Sequence, residues 1–154
     1  MNDRNLKKDI SFTEYISNSE EETVDIARMI AKRIQPGVNI ALQGALGAGK
    51  SVFARGFARA LGVEGYIPSP TFTIVQEYEL DNRSKLKWLI HMDLYRIHDT
   101  ASALSFGIDE YLDDLSAVKL IEWSERIEDI LPDDTWYVRI KHLSELSRRI
   151  IIEN

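Results

Sequence analysis

The 154-residue chain contains no cysteine, which excludes disulfides, thiolate catalysis and cysteine-ligated zinc. Long apolar runs are missing too. No stretch is long enough to cross a bilayer, and Met1 to Asp9 holds no apolar segment of signal-peptide length. Proline is scarce, with four residues, and Pro68 and Pro70 fix one extended segment around Ser69. Positive charge is in deficit: 19 Lys and Arg against 25 Asp and Glu give a net charge of −6 and a pI near 5.1. A protein that grips a nucleic-acid backbone usually carries a basic face, so direct nucleic-acid binding is disfavoured. No repeat, low-complexity tract or linker interrupts the chain. These features predict one domain spanning 1–154, with a core of its own, cytoplasmic and without a membrane partner.

One stretch organises what is present. Gly44, Ala45, Leu46, Gly47, Ala48, Gly49, Lys50 and Ser51 match G-x-x-x-x-G-K-[ST], the phosphate-binding loop, at every fixed position. Gly44 and Gly49 let the backbone turn and approach phosphate oxygens without a Cβ in the way. The loop N–H groups then sit at the positive end of the following helix, where an anion is favoured. Lys50 is expected to reach the β- and γ-phosphates, and the Ser51 hydroxyl to ligate Mg²⁺. Context supports the match. Val38 to Leu42 reads as a strand, and Val52 onward as a helix with Phe53, Phe57, Ala60 and Leu61 on one face.

The rest of the pattern predicts an α/β domain. Ile10 to Ile16 includes a short strand. Ser19 and Glu22 have capping-box spacing, ahead of a stripe of Val24, Ala27, Ile30, Ala31 and Ile34 that stops at Pro36-Gly37. Thr71 to Leu80 alternates as a strand, Asp81 to Ser84 is a turn, and Leu86 to Met92 alternates again. That reads as a β-hairpin, so the central sheet is mixed, parallel plus antiparallel, flanked by helices. Ala101 to Leu115 gives one or two short helices. Val118 to Glu122 is a buried strand, a helix covers about Ser124 to Ile130, and Trp136 to Ile140 and Arg148 to Ile152 are β-rich.

A phosphate loop needs an acid at the end of an apolar strand to hold Mg²⁺ or its waters. Two exist: Asp93 ends Trp88 to Met92, and Glu122 ends Val118 to Ile121. One can serve the metal while the other orients or deprotonates water, and the residues alone leave that assignment open. His91 shares a strand face with Asp93, with proton transfer and a structural hydrogen bond as its two readings. Arg96 suits either an internal arginine finger or a salt bridge. Trp123 is placed to stack on adenine or to pack in the core. Ser69 and Thr71 lie where switch segments sense a γ-phosphate, or simply form a rigid loop.

Four stretches in order, G-A-L-G-A-G-K-S at Gly44–Ser51, S-P-T-F at Ser69–Phe72, H-M-D-L-Y-R at His91–Arg96 and I-E-W-S-E at Ile121–Glu125, resemble the TsaE (YjeE) family. The likeness spans roughly residues 10 to 142. It implies a phosphate-loop ATPase needed to make threonylcarbamoyladenosine on tRNAs that read ANN codons. The implied partners are TsaD and TsaB, with TsaD transferring the group from threonylcarbamoyl-adenylate and ATP hydrolysis resetting the assembly. It implies ATP and Mg²⁺ as cofactors, Lys50 and Ser51 as phosphate and metal contacts, and Glu122 as the magnesium-associated acid. Asp93 becomes the acid for hydrolysis and Trp123 an aromatic beside the adenine. tRNA would be held through the partners, as the acidic charge suits. Ser51 stands where Thr is more usual, and Leu143 to Asn154 matches no motif of the family.

Two other classes compete. A small-molecule kinase on the same loop would need an acceptor pocket and an Arg-bearing lid, and no Arg-rich insertion is present. A GTPase switch would need an Asn-Lys-x-Asp segment to read guanine, which the chain lacks.

Overall fold

The computed structural model describes residues 10–81 and 85–154. The expectations for Met1 to Asp9 and for the turn at Asn82 to Ser84 lie outside them. Seven strands form one sheet in the order β1-β7-β6-β2-β5-β4-β3. They are β1 (Phe12–Ser17), β2 (Asn39–Gln43), β3 (Val75–Glu79), β4 (Trp88–Asp93), β5 (Ala117–Glu122), β6 (Trp136–His142) and β7 (Arg148–Glu153). The middle four, β6, β2, β5 and β4, are parallel, and both wings are antiparallel. The mixed sheet expected from the hairpin is therefore present, with helices on both faces.

On one face lie α1 (Glu20–Ala31) and α2 (Lys50–Ala60). Ile26, Ile30, Phe53 and Phe57 pack there against Ile40, Leu42, Val118, Leu120, Val138 and Ile140. Phe53 and Phe57 are both fully buried, and truncating either would cost about 3–5 kcal/mol. Gly56 makes the helix pair close, since a Cβ there would lie 3.0 Å from Val24 Cα. The opposite face carries α3 (Thr100–Ser105), α4 (Ile108–Leu112) and the turns of Ser124–Ile130 over Ile90, Met92, Ala117 and Ile121.

Helix α1 starts as its sequence demands. Ser19 Oγ accepts from Glu22 N at 3.1 Å, while the Glu22 carboxylate accepts from Asn18 N at 2.6 Å. The helix ends at Ala31, before the Pro36-Gly37 stop, so Ile34 is buried from the turn that follows. Helix α2 begins at Lys50, two residues ahead of the expected Val52, because Gly49 (φ 112) serves as its N-cap and Phe53 N bonds Gly49 O. Its buried face is Phe53, Ala54, Gly56, Phe57 and Ala58, and Ala60 is exposed.

Two further differences have local causes. The strand expected from Thr71 begins only at Val75, because Ile74 takes φ 68 in a tight turn. Ile74 N bonds Pro70 O at 2.7 Å, and Val75 N bonds Thr73 O at 2.8 Å. A β-branched residue at positive φ is strained. After β5, Ser124–Ile130 forms 3₁₀ turns broken at Ile127 (φ −131), whose side chain is drawn into the second core.

At the far end of the sheet, Lys119 is fully buried. Its Nζ donates to Gly37 O (3.0 Å) and Asp114 O (2.7 Å), tying two loops together. Burial holds its pKa below the ordinary lysine value, opposed by the nearby Asp114, Asp134 and Asp113.

Candidate active site

The loop Gly44–Gly49 links β2 to α2 at the carboxyl end of the parallel strands, where open α/β sheets bind ligands. Gly44 sits against β6: a Cβ there would lie 2.6 Å from Ile140 O, so no larger residue fits this approach. Lys50 is the first residue of α2 and is buried. Its Nζ donates to Gly44 O at 2.7 Å and stands 4.4 Å from the centroid of the Trp123 ring. Ser51, next along the helix, is exposed at the loop's mouth.

Register supplies the acids. Asp93 and Glu122 are direct partners at the ends of β4 and β5. Both are 4% exposed. Their surroundings differ. Asp93 Oδ2 accepts from Thr71 Oγ1 at 2.9 Å and Oδ1 from Tyr95 N at 2.9 Å, and Thr71 pairs in turn with Ser69 Oγ at 2.9 Å. Glu122 Oε2 faces His91 Nε2 at 3.7 Å, too long for a hydrogen bond. A cavity of about 290 Å³ brings Lys50, Ser51, Ser69, Thr71, Asp93, Tyr95, Glu122 and Trp123 together around the loop tip Leu46-Gly47.

Trp123 reaches that cavity through a left-handed backbone, φ 58 and ψ 37, directly after Glu122. Its indole lies over the Lys50 ammonium and against Tyr95, whose ring is 5.1 Å away. Arg96 is not in this cavity. Its guanidinium stacks on Phe72, 4.5 Å from the ring centroid.

A second cavity, about 310 Å³, opens on the other side of the loop. It shares Gly47, Lys50 and Ser51, and adds Ser19, Glu20 and Thr23 from the start of α1, Glu145 and Leu146 from the β6–β7 turn and Arg148 from the start of β7. Arg148 Nε donates to Ala48 O at 2.8 Å, and Nη1 reaches the carbonyls of Ser144, Glu145 and Ser147 at 3.2–3.3 Å. No local motif marks these residues for the loop: Ser19 reads only as a helix cap, and Glu145, Leu146 and Arg148 carry no motif. The pairing of β7 between β1 and β6, with the packing of α1 on α2, brings them to the loop.

The donors suit Mg²⁺. A serine hydroxyl and carboxylates are hard oxygen ligands. Among the described residues no group of three or more His, Cys, Asp or Glu could hold a metal ion by itself.

A family model described as "Threonylcarbamoyl adenosine biosynthesis protein TsaE" matches residues 17–150. The chain belongs to the TsaE family. Among TsaE relatives, the tRNA threonylcarbamoyladenosine biosynthesis protein TsaE of Bacillus subtilis is 42% identical over 130 residues, 84% of this chain and 78% of the relative. The protein of the same name from Treponema pallidum is 33% identical over 137 residues, 89% of this chain and 97% of the relative. The crystal structure of Bacillus subtilis YdiB superposes with a TM-score of 0.77 at 35% identity, covering 94% of this chain and 86% of that one. The TsaE match takes in both ends of the candidate site, from Ser19 to Arg148, including the segment after Leu143 that carries no recognisable motif.

Proposed function

We propose that this TsaE-family chain, working as one domain over 1–154, is the Mg²⁺-dependent ATPase of the assembly that makes threonylcarbamoyladenosine on tRNAs reading ANN codons. Its partners in this reading are TsaD and TsaB in the cytoplasm, with tRNA engaged through them. One observation carries it: Lys50 and Ser51 at the head of α2 share a cavity with Asp93 and Glu122, paired at the ends of adjacent parallel strands. That arrangement supports nucleotide hydrolysis, which needs a phosphate binder, metal donors and a second acid close together.

Each residue then has a task. Loop N–H groups and the α2 N-terminus bind the phosphate chain. Lys50 exchanges its Gly44 carbonyl partner for phosphate oxygens and neutralises charge in transfer. Ser51 and Glu122 would hold Mg²⁺, which when bound neutralises the β- and γ-oxygens. Asp93 has its carboxylate fixed by Thr71 and Tyr95 and orients the attacking water, accepting its proton. Ser69 and Thr71 couple that carboxylate to the Pro-bounded segment, so phosphate occupancy would be felt there. Trp123, the aromatic that the resemblance puts beside the adenine, covers Lys50 at the phosphate end of the site. The base is accommodated in the cavity between Ser19, Thr23, Leu146 and Arg148, which is open and partly apolar. Net charge −6 agrees with a protein that meets tRNA through partners; among the described residues no helix is long and apolar enough to cross a membrane.

The test is phosphate release from ATP by the purified chain, alone and with TsaD and TsaB, beside threonylcarbamoyladenosine formation on tRNA. Activity that requires Mg²⁺ and is lost in Lys50→Met is expected. Methionine keeps a stem to pack on Trp123 and removes the charge. No hydrolysis under any of these conditions would sink the reading.

A further inference from the structure

His91 stands out as the polar residue in the apolar interior of β4. Its neighbours Leu89, Ile90 and Met92 are buried hydrophobics, and the imidazole is 5% exposed. Its Nε2 has no hydrogen-bond partner, an arrangement that a buried ring nitrogen rarely keeps without a use. The register explains where it points. His91 lies opposite Leu120, two pairs below Asp93 and Glu122, and its side chain shares the α2 face with Asp93 by the period of two. Nε2 therefore looks up at Glu122 Oε2 from 3.7 Å. Its other flank borders a cleft of about 10 Å³ lined by Ser51, Ala54 and Ser69.

The two acids are held unequally. Asp93 has a donor on each oxygen, from Thr71 and Tyr95. For Glu122, His91 is the one basic side chain within 4.0 Å among the described residues. A charge-assisted N–H···O bond is about 2.8 Å, so a small rotation of the glutamate closes the gap. We infer that His91 is a positioning residue for Glu122: Nε2–H holds Oε2, leaving Oε1 turned toward Ser51 and the cation that both would share. Metal-binding carboxylates and histidines depend on such outer partners, whose loss typically weakens metal affinity about 10–100-fold. The inference rests on the nucleotide-and-metal reading of this site. The proton must sit on Nε2, which both the Nε2–H tautomer and the imidazolium satisfy.

The experiment measures Mn²⁺ affinity of the ADP-bound protein by electron paramagnetic resonance, and ADP affinity in EDTA by calorimetry. His91→Leu fills the volume without a donor. It is expected to bind Mn²⁺ about 10–100-fold more weakly, with metal-free ADP affinity within about twofold of wild type. His91→Gln, whose amide N–H can occupy the place of Nε2, is expected to recover most of the Mn²⁺ affinity. If His91→Leu does not fold, His91→Asn, which puts its amide at the Nδ1 position instead, carries the same expectation. Wild-type Mn²⁺ affinity in a folded donor-less variant overturns the inference alone. So does a parallel fall in metal-free ADP affinity, or a glutamine no better than leucine. Wild-type protein that binds ADP but no Mn²⁺ overturns the metal-site reading and this inference with it.

Discussion

The close approach of Gly44 to β6 sets a sharp test of how the loop is built. Alanine at this position adds one methyl group. Its Cβ would fall 2.6 Å from Ile140 O, inside the 3.0 Å that real Cβ contacts keep, and 3.3 Å from Ala48 Cβ. Ile140 O belongs to a strand flanked by β2 and β7 and cannot swing aside as a side-chain tip would. The relief must come from the loop, which carries the phosphate-facing N–H groups with it. Overpacking of this kind costs about 1–3 kcal/mol, a fall in Tm of roughly 3–10 °C for a chain this size. ADP affinity falls as well, about tenfold for each 1.4 kcal/mol of binding lost to the displaced loop. Gly47→Ala is the control. Its Cβ meets no atom within 4 Å, but its φ is +77, so it suffers only backbone strain, about 1–2 kcal/mol. Thermal unfolding and calorimetry on both variants decide the matter. A Gly44→Ala protein with wild-type Tm and ADP affinity, or one less impaired than Gly47→Ala, would refute the reasoning.

Three other outcomes follow from the same structure. Asp93→Asn keeps an oxygen to accept from Tyr95 N, so Mg-ADP binding measured by calorimetry persists while the rate of phosphate release drops about 10²–10⁴-fold. Arg148→Ala strips donors from four carbonyls at the loop and the β6–β7 turn. A cost of about 1–3 kcal/mol and weaker ADP binding are expected, and Arg148→Lys should not restore them, because a single ammonium cannot span that set. Asp114 has its pKa lowered by hydrogen bonds from Ser116. The stability it contributes is therefore complete above the ordinary carboxylate value, about 3.9, and is lost as pH falls through the lower folded value. The Tm gap between wild type and Asp114→Asn should accordingly hold constant above about pH 5 and close in more acid solution, as thermal melts across pH will show.

Much of the site can be read from the chain because its chemistry is local. Gly44 to Ser51 states its own geometry, and Asp93 and Glu122 announce themselves as acids closing apolar strands. The register then sets them side by side at the ends of β4 and β5. What escaped depends on contacts distant in sequence or on single backbone angles. Alternation runs unbroken from Thr71, yet the strand starts late because Ile74 turns to positive φ and Thr71 is drawn to Asp93. Ser19 and Arg148 gain meaning only through the neighbours that the sheet gives them. Arg96 reads equally well as a catalytic arginine or an ion-pair partner, and in the fold it lies on Phe72 instead.

The pairing of β1 with β7 has a consequence for how the protein comes into being. Phe12 lies opposite Glu153, and Ser11 and Asn154 exchange backbone bonds of 2.8 and 3.0 Å. Strand β1, at the edge of the sheet, therefore has no partner strand until β7, far along the chain, is made. The phosphate loop and both acids emerge well before Arg148. A chain cut before Glu145 would display the loop with the wall made by Glu145, Leu146 and Arg148 missing from the cavity beside it. Such long-range closure is slow relative to helix formation, so the cavity beside the loop is completed late, by the same β1–β7 pairing that closes this wing of the sheet.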